Sequence, residues 1–226
     1  MNKKVSVTFM LAGILFTTCL LVSNLISSKI ISIGPLSVPA GVIIFPLAYI
    51  LNDVITEVWG FGKARLIIWS GFAMNLIAVI FYTLAVQWPA ASFWSGQESF
   101  SAVLGSTPRI AIASLTAYLF GSFVNAFIMS KFKLMTKGKG FTLRAIVSTL
   151  AGEGIDSLVF ITIAFVGIIP VNQLIVMVAL QAAVKTVFEI VVLPLTVVIV
   201  NRIKTIEETD AFDVNISYNP FKVNQI

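Results

Sequence analysis

The sequence predicts an all-α membrane protein with six transmembrane helices, and three observations lead there. Of its 226 residues, 58% are hydrophobic and only 11% are charged, against about 45–50% and about a quarter in a soluble domain. The mean hydropathy is +1.00. The apolar residues fall into six runs, each near the length of about 20 residues that carries a helix across a bilayer.

The first run, 5–26, follows Lys3 and Lys4. It is too long for a signal-peptide core and lacks a clear small-residue cleavage site, so it reads as a retained span. The second, 36–58, is entered through "GPLSVPAG". The third covers 64–86 and the fourth 110–130. The fifth covers 145–169 and stops at Pro170, and the sixth covers 173–200. Pro46 and Pro194 fall inside spans and are expected to bend them. Residues 1–204 thus form the membrane domain and 205–226 a polar, cytoplasmic tail. Between the third and fourth spans lies a long external loop, "QWPAASFWSGQESFSAVLGSTP". Its aromatic residues suit an interfacial belt or a lid over an outward-facing pocket.

Basic residues set the orientation. They occur at Lys3 and Lys4, at Lys63 and Arg65, five times in "KFKLMTKGKGFTLR", and at Arg202 and Lys204. With six spans all four places share one side, which places both termini in the cytoplasm; an odd number breaks the pattern. This accounts for the net charge of +5 without a nucleic-acid partner. The chain has no His and a single cysteine, Cys19. That excludes an internal disulfide, His-ligated zinc, and Ser–His or Cys–His catalysis. There is no GxxxxGK[ST] loop to hold ATP, and no cofactor is expected.

Ionisable residues inside spans carry the functional signal, because one at a helix centre costs about 2.5–3.5 kcal/mol. In the second span, "YILNDVITEVWG" holds Asn52, Asp53 and Glu57; the two carboxylates lie about 40° apart on one face. In the fifth, "AGEGIDSLVF" holds Glu153 and Asp156, about 60° apart. In the sixth, Gln181, Lys185 and Glu189 follow at i, i+4 and form one polar stripe. Lys185 and Glu189 could pair within that helix. Such stripes do not face lipid, so packing them around one central cavity is the economical arrangement. Lys185 offsets part of an excess of acid, and the remaining carboxylates are expected to be protonated or to meet donors on a ligand or on Arg109. The alternative is a salt-bridge network that only fixes packing. For Asp53 and Glu57, near the cytoplasmic end of their span, a network with Lys63 and Arg65 competes with a ligand role.

Asn24, Asn75 and Asn125 suit hydrogen bonds between helices, and Asn24, close to Lys29 at the external end, is also a ligand candidate. The small residues Ala113, Ser114, Ala117 and Gly121 suggest close helix approach. Paired carboxylates accept hydrogen bonds from several N–H donors on one edge of a planar ring. A guanine-like base offers that edge. Phe45, Tyr49, Tyr118 and Phe160 offer stacking faces, or simply pack.

"FPLAYILNDVITEVWGFGKARLIIW", "RIAIASLTAYLFGS", "STLAGEGIDSLVFITIAFVGIIP", "QAAVKTVFEIVVLP" and the tail "FDVNISYNPF" together resemble the queuosine precursor transporter family, across residues 24–221. The resemblance implies an inner-membrane importer of 7-deazaguanine precursors (preQ0, preQ1 or queuine) for queuosine salvage and tRNA modification. It implies a fold similar to the substrate-binding subunits of vitamin importers. The positions that carry the family motifs are Asn24, Asp53, Glu57, Gly60, Arg65, Arg109, Glu153, Asp156, Lys185 and Glu189. In that reading Glu153 and Asp156 accept from the base, Lys185 or Gln181 donates to its carbonyl, Asn24 closes the outer end and Arg109 anchors the fourth span.

Two other readings compete. The chain could be the substrate-binding subunit of an ATP-driven importer, which then needs an energising partner; a homodimer is also open. Asp53 and Asp156 could form an intramembrane aspartyl protease dyad. "GEGID" only superficially resembles the GxGD motif of such proteases, since it has an extra residue before the Asp.

Overall fold

The architecture is organised around a short buried helix, α2 (Phe45–Trp59), onto which longer helices pack. The structure is a computed structural model and describes residues 5–27, 29–33, 36–105, 108–167 and 170–222. α1 (Val7–Ile26) leads into an antiparallel hairpin, β1 (Ile30–Ile33) and β2 (Leu36–Pro39), in register Ile30↔Pro39 to Ile33↔Leu36. A 3-10 turn (Ala40–Ile43) then delivers the chain to α2. α3 (Phe61–Gln87), α4 (Gln97–Leu104), α5 (Pro108–Met135), α6 (Phe141–Phe165) and α7 (Val171–Glu207) follow.

Five helices, α1, α3, α5, α6 and α7, are long and apolar enough to cross a membrane. α2 differs. Its 15 residues rise about 22 Å, short of a hydrocarbon core of about 30 Å, and twelve of them are buried. A helix covered on all sides belongs inside a bundle, and α2 packs against α1, α3, α5 and α7. The expected helical span 36–58 is therefore corrected at its start, where 36–39 are strand. Proline explains the change. Pro39 lacks an N–H and disfavours helix in the residue before it, whereas Pro46 sits in the first turn of α2, where no N–H is needed. Pro46 thus opens a helix instead of bending one, while Pro194 does lie inside α7.

α5 and α6 form the most extensive helix pair, and two glycines permit it. A Cβ on Gly121 would fall on the Tyr49 hydroxyl and within 2.9 Å of the Gly152 carbonyl oxygen. A Cβ on Gly152 would come within 2.8 Å of Asn125 Cβ and 3.0 Å of the Gly121 carbonyl oxygen. This close approach holds the polar face of α6 against α2. Ala113 and Ala117 are buried on the same helix as Gly121.

The segment after α7 folds back onto the bundle. The Ala211 N–H donates to Val58 O at 3.1 Å. Asp213 Oδ2 accepts from the Phe61 N–H at 2.8 Å and so caps α3 from a distance. Arg65 donates to the carbonyls of Ser217 and Asn219 at 3.0 and 2.9 Å, and Trp69 Nε1 to Pro220 O at 2.8 Å. The Tyr218 ring lies 5.1 Å from both Phe61 and Phe127. Phe9 meets Trp59 at 5.3 Å, with Lys63 over its ring. The start of α1, the α2–α3 junction, the end of α5 and the tail therefore meet at one end of the molecule, which carries Lys63, Arg65, Lys131 and Lys133.

Candidate functional site

The core of the site is an ion-paired triad between α6 and α7. Lys185 Nζ donates to Asp156 Oδ2 at 2.5 Å and stands 3.0 Å from Glu153 Oε2. Sequence spacing makes this possible: Glu153 and Asp156 share a face of α6, and Lys185 projects from the facing stripe of α7. The pairing differs from the expected Lys185–Glu189 contact within one helix, because the carboxylates across the interface are better placed. Glu153 is fully buried. Its distance to Lys185 makes an ion pair, yet among the described residues neither of its oxygens accepts a well-directed hydrogen bond. Among the same residues the nearby Ser157 hydroxyl also finds no hydrogen-bond partner. A buried carboxylate without donors is costly unless something supplies them.

α2 provides the aromatic wall. The Phe45 ring lies 4.0 Å from Lys185 Nζ and 5.7 Å from the Tyr49 ring. The Tyr49 hydroxyl reaches Gly152 O at 3.5 Å. One turn on, Asn52 donates to Asn125 Oδ1 at 2.6 Å and to Ser122 O at 3.2 Å, tying α2 to α5. Asp53 accepts from Ser148 at 3.5 Å. Glu189 accepts from the Thr149 hydroxyl. Asp53 and Glu189 line one small cavity of about 10 Å³, room for a single water.

Glu57 belongs to a different cluster, nearer the basic end. Arg144 grips it with two donors, at 2.5 and 3.0 Å. Lys204 Nζ stands 2.6 Å from Glu57 Oε1 and Lys133 Nζ 3.6 Å from it. Asp210, from the tail, pairs with Lys133 and with Lys204 at 2.9 Å. Burial pushes the Asp210 carboxyl up, but the hydrogen bonds and charges of Lys133 and Lys204 outweigh it and hold the group below its usual value. The expected network at this end exists, with other cations than Lys63 and Arg65. Lys63 lies over Phe9 and Arg65 holds the tail.

Of the candidates read from sequence, Phe45, Tyr49, Asp53, Glu153, Asp156, Lys185 and Glu189 lie around the α2–α6–α7 interface. Gln181 is half-buried one turn before Lys185. Asn24 is engaged elsewhere, donating to Asn75 at 2.5 Å and accepting from Ser114 at 2.9 Å, which joins α1, α3 and α5. Arg109 is in the first turn of α5, but its side chain falls outside the described residues. Sequence reasoning missed Thr149, Ser148, Arg144, Lys133 and Lys204. Arg144, Ser148, Gly152 and Asp156 follow at intervals of four, so the polar stripe of α6 begins about two and a half turns before Glu153.

Comparisons with known proteins give the family. The family described as "Putative vitamin uptake transporter" matches residues 39–199, a segment that contains α2, α6, most of α7 and the Lys185 triad, while Lys204 and Asp210 of the Glu57 cluster lie beyond it. A protein of Bacillus subtilis (strain 168) named "Probable queuosine precursor transporter" is 25% identical over 151 residues. That alignment covers 66% of this chain and 66% of the relative, a little under two thirds of its length. No solved structure matches the chain. Buried charge on a multi-pass bundle and a family match over most of its length converge: the chain belongs to the vitamin uptake transporter family, a family of membrane transporters and not of enzymes.

Proposed function

We propose that this protein imports 7-deazaguanine precursors of queuosine (preQ0, preQ1 or queuine) across a bacterial cytoplasmic membrane. The observation that carries the reading is Glu153: fully buried, with neither oxygen accepting a hydrogen bond among the described residues, beside a lysine–aspartate pair and two aromatic rings. Glu153 and Asp156 accept from the ring N–H and exocyclic amine of the base, and Lys185 turns to its carbonyl. The Lys185 ammonium now donates to Asp156 alone, and it lies against the Phe45 ring where a base could stack. Gln181 is a second donor, Asn24 closes the outer end and Arg109 anchors the start of α5. The name of the Bacillus subtilis relative supports the substrate class.

A cavity of about 10 Å³ beside Asp53 and Glu189 does not admit a bicyclic base, so α6 and α7 must part from α2 to take it in. Six passes follow if α2 and its hairpin complete a crossing. The meeting of the start of α1 with the α2–α3 junction supports that count, and the basic end then faces the cytoplasm.

The test is the melting temperature of the purified protein with preQ0, preQ1, queuine and guanine, since a ligand that binds only the folded state raises it. A deazaguanine should stabilise selectively, and Asp156→Asn and Glu153→Gln should abolish the effect. No shift with any of them removes the substrate assignment. Uptake by the purified protein in liposomes separates a self-sufficient carrier from a subunit that needs an energising partner.

A further inference from the structure

Asp53 and Glu189 meet in a place the base does not need. They line the cavity of about 10 Å³ together with Thr149 and Thr196, and the rest of its wall is apolar. Its hydroxyl protons are committed: Thr149 donates to Glu189 Oε2 and Thr196 to Val192 O at 3.3 Å. Lone pairs remain. Glu189 is more than nine-tenths buried, and its Oε1 has no hydrogen-bond partner among the described residues. Among those residues no Lys or Arg nitrogen forms an ion pair with either carboxylate.

The neighbouring charges are already used. Asp53 is faced by Glu57 on its own helix, by Arg144 and Ser148 on α6 and by Asn125 on α5. Glu189 is faced by Lys185 on its own helix and by Glu153 and Thr149 on α6. Arg144 grips Glu57, and Lys185 serves Asp156 and Glu153. Two buried carboxylates around a space for one small particle, with acceptors only, call for one positive charge.

We infer that the Asp53–Glu189 cavity is a binding site for a single monovalent cation. Sodium and a proton supply the same chemistry, one positive charge met by oxygen acceptors, and the experiment distinguishes them. If the chain is the importer proposed above, this ion is the one coupled to uptake, as ionisable residues within spans often are. The test does not depend on that step, because it reads the ion and not the base.

The full chain is purified in detergent and its melting temperature measured across NaCl, with choline chloride holding ionic strength constant, at several pH values. A sodium site gives a saturable rise of about 5 °C at a hundredfold excess over Kd. Glu189→Gln and Asp53→Asn abolish it. Thr196→Val, which keeps both carboxylates and guards against a folding defect, weakens it. A proton site gives no sodium effect; instead stability falls as pH rises and the shared proton leaves, and Glu189→Gln flattens that slope. An absent response to both ions, or a response unchanged in Glu189→Gln and Asp53→Asn, overturns the assignment. Stabilisation by a deazaguanine is scored separately, so either reading can fail alone.

Discussion

Lys185 Nζ sits 2.5 Å from Asp156 Oδ2, and both side chains are buried. Removing one partner of such a pair strands the other charge in a medium that does not solvate it, at about 3–5 kcal/mol. Lys185→Met should therefore lower the melting temperature sharply, because Glu153 also loses the one ion-pair partner it has among the described residues. Adding Asp156→Asn should return part of the loss. Thermal unfolding of the two single variants and the double variant measures this; simple additivity would show that the pair does not interact.

Glu57 offers a contrast between two kinds of charge at the basic end. It is fully buried under Arg144, Lys133 and Lys204. Glu57→Gln leaves three cations close together and should cost about 3–5 kcal/mol. Lys63→Ala should cost about 1 kcal/mol at most, since Lys63 lies over the Phe9 ring and otherwise faces Glu207, a pair near the surface. Equal melting temperatures for the two variants would refute the assignment of Glu57 to the Arg144 network.

Which residues were legible in the sequence follows from how each signal arises. Asp53, Glu153, Asp156, Lys185 and Glu189 stood out because a charge inside an apolar run is expensive wherever it points. Long apolar runs gave α1, α3, α5, α6 and α7 for the same reason. Partner choice was not legible. Lys185 is nearer to Glu189 along the chain, and only the α6–α7 packing gives it to Asp156. Arg144 and Lys204 looked like loop cations because orientation explains basic residues between spans, so their inward turn toward Glu57 had no separate mark. The hairpin had no separate mark, because "GPLSVPAG" reads equally well as the entry to a helical span and β2 lies at the head of the apolar run 36–58. The tail reads from composition only as polar and cytoplasmic, which gives no sign that it carries the Asp that caps α3.

Close packing of α5 on α6 predicts a steep difference between neighbouring glycines. A Cβ on Gly121 would meet Asp156 Cβ and the Gly152 carbonyl oxygen at 2.9 Å, so Gly121→Ala should cost about 1–3 kcal/mol through overpacking. A Cβ on Gly154 meets nothing within 4 Å. Gly154→Ala should be neutral, or stabilising by up to about 1 kcal/mol through helix propensity. Thermal unfolding of both compares them directly; a harmless Gly121→Ala would mean that the helices do not approach as described.

The tail should behave as part of the fold. Gly60, at φ 86, precedes α3 and has no side chain to cap it; a Cβ there would meet Asp213 Oδ1 at 2.6 Å. Asp213 supplies the missing acceptor to the Phe61 N–H from the far end of the sequence. Asp213→Ala should thus cost about 1 kcal/mol, the usual value of a helix cap, and should loosen everything after α7. Asp210 adds a pH dependence of known sign. Its carboxyl is held below the ordinary aspartate range in the folded protein by Lys133 and Lys204, so its contribution is complete above that ordinary range and fades as pH falls through the lower folded value. The expected record is a C-terminal segment that resists a nonspecific protease at neutral pH, is clipped after α7 in Asp213→Ala, and is also clipped in native protein at strongly acidic pH. Rapid clipping of the native tail at neutral pH would show that these contacts do not hold it.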